Sequence, residues 1–232
     1  MKLAQPLSCK GIWKVKEDFR CMILDFGRLD VETWRAVSHP ISNRKLITMI
    51  LPIHTYGKAV LRTVAQDIDT DNYPKLNELI DNMYETMHNA SGIGLAAPQI
   101  GLSDRIFIVD LTALADAENP QYENFKKVFI NARIVERNGA LEAVEEGCLS
   151  IPGIHEKVPR HHEIRIQYLD ENLQAKDETY SGFIARVIQH EYDHLEGIVF
   201  VEHISFLRKR MIKSKLTNLE KGNVKCDYRI KA

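Results

Sequence analysis

No run of apolar residues in this chain approaches the length needed to cross a bilayer. Met1 is not followed by the basic, apolar and small-residue progression of a secretory signal, and a cytoplasmic, membrane-free setting is therefore expected. Cysteine is scarce: Cys9, Cys21, Cys148 and Cys226 are scattered, with no C-x-x-C pair. That pattern excludes a dense disulfide framework and fits a reducing compartment. Charge of one sign is also missing, since 31 basic and 32 acidic residues leave a net charge of -1. Bulk electrostatics thus give no reason to expect nucleic-acid or membrane binding. Repeats and low-complexity tracts are absent too. What remains is ordinary for a globular protein, with 44% hydrophobic and 27% charged residues. A chain of 232 residues can build one domain with a sizeable core.

Residues 1–48 do not read as the start of that domain. They lack helical or alternating periodicity, although Trp13, Phe19, Met22, Ile23, Leu24, Phe26 and Trp34 give them apolar content. Met49 then opens Met49-Ile50-Leu51-Pro52-Ile53, a natural protein start. The first 48 residues are read as an extension of doubtful origin, poorly ordered, from an upstream start or an appended segment. Residues 49–232, ending in a basic tail, are read as the folded domain. Within it, Pro74 opens a helix in which Leu76, Leu79, Ile80, Met83, Tyr84 and Met87 recur at helical spacing, ended by Ser91-Gly92-Ile93-Gly94. Arg105–Leu111, Val128–Val135 and Ile164–Leu169 read as strands, and Ala113–Asn124 as a surface loop. Helices are expected from about Gly182 to Leu195 and from about Ile204 to Leu216. Strands dominate the middle and do not alternate strictly with helices. The fold class is therefore α+β, with mainly antiparallel strands around a central helix and a further helix near the C-terminus.

That central helix carries Gln189-His190-Glu191-Tyr192-Asp193-His194, an H-E-x-x-H run. Residues four apart share a helix face, so His190 and His194 can hold one metal ion while Glu191 reaches a neighbouring water. A catalytic site of this kind needs a third protein ligand and an open position. The three-histidine extension of this motif fails here, because Phe200 stands where its third His belongs. Glu202 and Glu220 are available downstream. Cys148, within Glu145-Glu146-Gly147-Cys148-Leu149-Ser150, is available upstream. A third segment, Gly92-Ile93-Gly94-Leu95-Ala96-Ala97-Pro98-Gln99, permits close backbone approach, and its Gln99 amide can face a developing oxyanion.

In this order the three segments resemble the peptide deformylases, whose patterns G-x-G-x-A-A-x-Q, E-G-C-L-S and Q-H-E-x-D-H-L-x-G match Gly92–Gln99, Glu146–Ser150 and Gln189–Gly197. The resemblance extends from about Met49 to at least Phe200. It implies an α+β enzyme that removes the formyl group from N-formylmethionine on new polypeptides, releasing formate. It also implies one metal held by Cys148, His190 and His194. That metal is Fe²⁺ by resemblance, with Zn²⁺, Ni²⁺ or Co²⁺ able to occupy the same site; thiolate and imidazole chemistry alone favours zinc. Glu191 is implied as the proton carrier. Gln99 and the Leu149 backbone N–H are implied as oxyanion donors, the loss of one such donor costing about 10²–10³ in rate. Ile93, Val144 and Val187 are implied to line a pocket for the methionine side chain, and Gly94 to pair with the substrate backbone. Glu146 and Arg160 are read as a supporting ion pair, and Asp193 as fixing the helix or a nearby loop. His54, His88 and His203 are read as structural or surface residues. His155 stands where some relatives carry Arg.

Arg208, Lys209, Arg210, Lys213, Lys215, Lys221 and Lys225 make the tail basic. Two uses are open to it: a solvated helix face, or transient contact with the ribosome, where formylated nascent peptides emerge. Rival readings of the motif are a zinc endopeptidase and a metal-stabilised module that only captures peptide ends. Glu191 and Gln99 argue against the second, because a purely structural site needs no adjacent base.

Overall fold

Alternation along three strands sets the architecture. A computed structural model describes residues 48–232, and residues 1–47 lie outside the described residues. A sheet of five strands runs in the order β2 (Gly94–Ala96), β3 (Ile106–Asp110), β4 (Lys126–Glu146), β5 (Glu156–Leu169) and β6 (Ala175–Ser181), all antiparallel. Side chains of successive residues point to opposite faces. Phe107, Val109, Phe129, Ile164 and Ile166 therefore share one face with Ala185, Val187, Ile188 and Tyr192 of helix α2 (Gly182–Leu195). Ile106, Ile108, Val128 and Ile130 share the other with Met83, Tyr84 and Met87 of helix α1 (Leu76–Asn89). The α+β class with a mostly antiparallel sheet holds. No helix among the described residues is long and apolar enough to cross a membrane.

A third apolar cluster lies under the loop that follows β4. There Cys148, Ile151, Ile154 and Val158 pack with Val199–Val201 and with Ile212, Leu216 and Leu219 of helix α3 (Phe206–Glu220). Near the chain's end, β7 (Ile230–Lys231) pairs in parallel with β1 (Ile53–His54).

The strand expected over Val128–Val135 is longer in the structure, running to Glu146 and pairing with β5 along Ile130–Glu146 with register shifts on the way. Beyond Ile130 it has no partner in β3. The loop expected over Ala113–Asn124 contains two single turns of 3-10 helix, Thr112–Leu114 and Pro120–Tyr122. Helix α3 starts two residues later than expected and runs on to Glu220, with Ser205 Oγ accepting from the Arg208 N–H as its cap.

Candidate active site

Helix α2 brings the two histidines to the site because it cannot turn away. Every residue from Ala185 to Leu195 is buried, so the helix is enclosed on all sides. Its exit is fixed by Gly197 at φ +69, where an added Cβ would lie 2.7 Å from the Arg62 carbonyl carbon. His190 and His194 lie one turn apart with ring centroids 5.3 Å from each other. The loop after β4 brings Cys148 against them, its Sγ 3.3 Å from His194 Nε2. One donor atom from each of Cys148, His190 and His194 falls within 4.8 Å of the others. Of the third ligands open in the sequence, Cys148 is therefore the one at the site. Glu202 instead pairs with Arg62 and Lys209.

Glu146 fixes the first imidazole. Its Oε2 lies 3.0 Å from His190 Nδ1, which leaves Nε2 as the nitrogen that could ligate a metal. The same carboxylate accepts from Arg160 Nε at 2.6 Å and from Arg186 Nη1 at 2.8 Å. Arg160 also donates to Asp193, whose Oδ2 lies 2.7 Å from His203 Nε2. Burial opposes the Glu146 charge, yet Arg160 and the hydrogen bonds from His190 and Arg160 outweigh it and hold the carboxyl at about 2. The expected Glu146–Arg160 pair is present. Its grip on His190, and the part played by Arg186, were not read from the sequence. Arg186 is not adjacent to Glu146 in any local pattern, so nothing in the chain signalled the contact.

Does this pocket suit a divalent cation? His194 Nδ1 and Glu191 Oε2 are buried without a hydrogen-bond partner among the described residues. Burial, then the neighbouring His190, pulls His194 down to about 3, so the ring is neutral and can ligate. Burial, then the Glu191 charge, pushes the Cys148 thiol up. Burial also pushes the Glu191 carboxyl well up, against the pull of Arg160. A dication would reverse both of these last shifts. One thiol and two imidazoles facing each other form a three-ligand donor set for such an ion.

Gln99 sits opposite Glu191. Its Oε1 accepts the Ala96 N–H at 2.8 Å. Because that partner can only donate, the Gln99 amide nitrogen must face the other way. It lies 3.6 Å from Cys148 Sγ and 3.3 Å from Ser150 Oγ. Gly94 makes room for the carboxylate: an added Cβ would lie 2.7 Å from Glu191 Cδ. Gly92 does the same for Leu149, whose Cδ1 would lie 2.8 Å from an added Cβ.

A recess is lined by Gly92, Ile93, Gly94, Gln99, Gly147, Cys148, Leu149, His190 and Glu191. It thus gathers most of the residues singled out in the sequence. Val187 is instead fully buried in the core between α2 and the sheet, and Val144 is half-buried on β4 opposite Val158. Ser150 and Arg186 join the site without having been singled out for a role.

Known proteins resemble this chain in sequence and in fold. The polypeptide deformylase family model matches residues 50–210. The peptide deformylase of Christiangramia forsetii is 53% identical over 189 residues, covering 79% of this chain and 96% of the relative. That of Flavobacterium psychrophilum is 50% identical, covering 79% of this chain and 97% of the relative. Among solved structures, the peptide deformylase of Thermus thermophilus aligns with a TM-score of 0.65 at 37% identity, over 75% of this chain and 99% of that one. A class I type b enzyme of Acinetobacter baumannii with Met-Ala-Ser bound aligns at 0.62 and 34%, over 68% of this chain and 100% of that one. With fold, donor set and recess in place, these matches make the chain a member of the polypeptide deformylase family.

Proposed function

We propose that this protein is a metal-dependent hydrolase that removes the formyl group from N-formylmethionine at the start of new polypeptides, with Cys148, His190 and His194 as ligands and Glu191 as the proton carrier. The observation that carries the reading is the convergence of a Cys/His/His donor set with the buried Glu191 carboxylate and the Gln99 amide around one recess. When bound, a divalent ion supplies Lewis acidity and makes water more acidic. Glu191 then takes the proton of the attacking water and passes it to the departing amine. Gln99 Nε2 and the Leu149 N–H donate to the oxygen that gains charge on the former formyl carbon. Formate and a free amino terminus leave.

Binding energy for so small a reacting group comes from the rest of the substrate. Ile93, Val144 and Val187 form or back the pocket for the methionine side chain. The peptide backbone adds as a strand at Gly94, on the free edge of β2, and near Val144, where β4 extends past its pairing with β3. In this reading the strands are arranged around the H-E-x-x-H helix as the centre of the catalytic unit, residues 49–232. The preceding residues are an N-terminal extension to that unit.

Fe²⁺ is the native ion in this reading, on family resemblance. Zn²⁺, Ni²⁺ and Co²⁺ suit the same donors. The cysteine pattern and the substrate favour a cytoplasmic setting. Transient ribosome contact falls to the exposed Arg210, Lys213 and Lys215 of α3, because Arg208 and Lys209 are paired with Glu156 and Glu202.

The test is formate release from formyl-Met-Ala-Ser by anaerobically purified, Fe²⁺-reconstituted protein beside Glu191→Ala. Release by the parent and its loss in the variant, with metal still bound, supports both activity and base. No release with Fe²⁺, Ni²⁺ or Zn²⁺ in a filled site rejects the reading.

A further inference from the structure

The C-terminal segment reaches the active-site loop from behind. Its side chains alternate between half-buried and exposed from Gly222 to Ile230, and Tyr228 falls on the inner side. The Tyr228 ring packs against the cluster that contains Leu149, and its hydroxyl donates to the Leu149 carbonyl at 2.7 Å. The segment is anchored on both sides of that contact. The Ile53 N–H donates to Arg229 O at 2.9 Å and the Thr55 N–H to Lys231 O at 3.2 Å, which places β7 on β1. Cys226 Sγ lies 3.3 Å from Tyr228 O.

Leu149 is the residue whose N–H faces the reacting oxygen in the reading above. Three consecutive carbonyls of its loop are held from outside the recess. Cys148 O accepts from the Ile151 N–H at 2.9 Å, and Ser150 O accepts from the Tyr56 N–H at 2.9 Å. Leu149 O, between them, accepts from Tyr228. The Leu149 N–H itself has no backbone acceptor among the described residues. The two outer contacts are made by backbone, and only the middle one depends on a side chain. An oxyanion donor is effective when its direction is fixed before charge develops.

We propose that Tyr228 is a positioning residue for the oxyanion donor: its hydroxyl, brought in by the C-terminal strand, holds the Leu149–Ser150 peptide through the Leu149 carbonyl, and so restrains, across the Leu149 Cα, the adjoining Cys148–Leu149 peptide that presents the Leu149 N–H. Tyr228 lies beyond residue 210, where the match to the family model ends. The inference rests on the reading of Leu149 N–H and Gln99 as stabilising donors.

The deciding experiment compares the full-length metal-loaded parent with Tyr228→Phe, which keeps the ring and removes one hydroxyl. A second variant lacks residues 226–232. For each, kcat and KM with formyl-Met-Ala-Ser, affinity for the product peptide Met-Ala-Ser, metal content and thermal midpoint are measured. A positioning hydrogen bond predicts a kcat lowered about three- to tenfold in Tyr228→Phe. KM, product affinity and metal content should stay within about twofold, because the product has no oxyanion. The truncation should lower kcat at least as far. A lower thermal midpoint with kcat unchanged overturns the proposal, leaving Tyr228 as packing alone. Parallel loss of kcat, product affinity and metal overturns it as well, since that is general loosening. Gln99→Ala separates the two levels: if it slows the reaction while Tyr228→Phe does not, only the role of Tyr228 fails. If both are neutral, the oxyanion reading fails with it.

Discussion

Replacing Gly94 by Ala tests the placement of Glu191 with a single methyl group. Gly94 is not among the residues with positive φ, so alanine fits the backbone there, and the perturbation is purely one of space. The added Cβ would stand 2.7 Å from Glu191 Cδ and 2.8 Å from Cγ, whereas ordinary contact begins near 3.4 Å. One partner must retreat by about 0.7 Å or more, the shortfall between those distances. The strand cannot, because Gly94, Leu95 and Ala96 are paired with Val109, Ile108 and Phe107 across β3. Helix α2 cannot either, since its whole second half is buried against the sheet. The Glu191 carboxylate is the soft partner: its Oε2 has no hydrogen bond among the described residues to hold it. Misplacement on the ångström scale costs about 10²-fold in rate, and a lost general base about 10²–10⁴-fold. Gly94→Ala should therefore lower kcat about 10²-fold with one metal ion per chain retained, approaching Glu191→Ala without matching it. Formate release in the steady state, paired with metal analysis and a thermal melt of the same preparation, measures this. A rate within about threefold of the parent, with the fold and metal intact, would refute the reasoning and remove Glu191 from the proton path.

Other changes follow from the same geometry. Cys148→Ser exchanges a soft ligand for a hard one, and metal content after dialysis against a weak chelator should fall below that of the parent. Glu146→Gln keeps the shape but leaves Arg160 and Arg186 facing a neutral group; breaking a buried pair costs about 3–5 kcal/mol, so the melt should drop sharply, and losing a partner of this kind weakens metal binding about 10- to 100-fold in a competition titration. Glu202→Ala should leave metal content and kcat unchanged and cost at most about 1 kcal/mol of stability, as expected for a surface pair; loss of the metal would restore it as a ligand. At Asp110, burial opposes ionisation, but His88 and Thr112 hold the carboxyl below its ordinary 3.8. A depressed carboxyl contributes stability that is present above pH 3.8 and lost as the pH falls through the folded value. Denaturant titrations of Asp110→Asn should accordingly show a flatter acid limb than the parent, and identical limbs would contradict the assignment.

How far the fold can be read depends on whether a segment buries one face. Helix α2 was legible, expected from about Gly182 to Leu195 and found over Gly182–Leu195, because its apolar positions and its glycines agree. Strand β4 was read only over Val128–Val135, where apolar residues face the core. Its continuation through Glu136, Arg137, Asn138 and Glu142 is exposed and is held by pairing with β5 alone. β6 escaped for the same reason: as an edge strand it is half-buried at every second residue and otherwise solvated. The two-residue strands β1 and β7 are too short to carry any period. The active site divides in the same way. His190 and His194 are legible from spacing within one turn, but Cys148 is 46 residues from His194 and needed the family likeness to be chosen over Glu202. The Glu146–His190 contact spans 44 residues and the Tyr228–Leu149 contact 79, and neither leaves a local pattern.

The charges behind the site suggest why so much of it is hidden from the sequence. Glu146 and Asp193 are balanced by Arg160 and Arg186, so the buried network places two negative and two positive groups beneath the ligands and adds no net charge there. A network of this kind orients His190 without attracting or repelling a cation by its overall field. The affinity then depends on the ligands, and the proton affinity of Glu191 depends on what occupies the recess. Burial pushes the Glu191 carboxyl up toward its neutral form, and a nearby dication favours its ionised form. The neutral sum requires each pair to be complete, which predicts that removing Arg160 and Glu146 together, as Arg160→Met with Glu146→Gln, costs less stability than the sum of the single changes. Thermal melts of the two singles and the double would measure that coupling, and strict additivity would show that the pair acts as two independent groups.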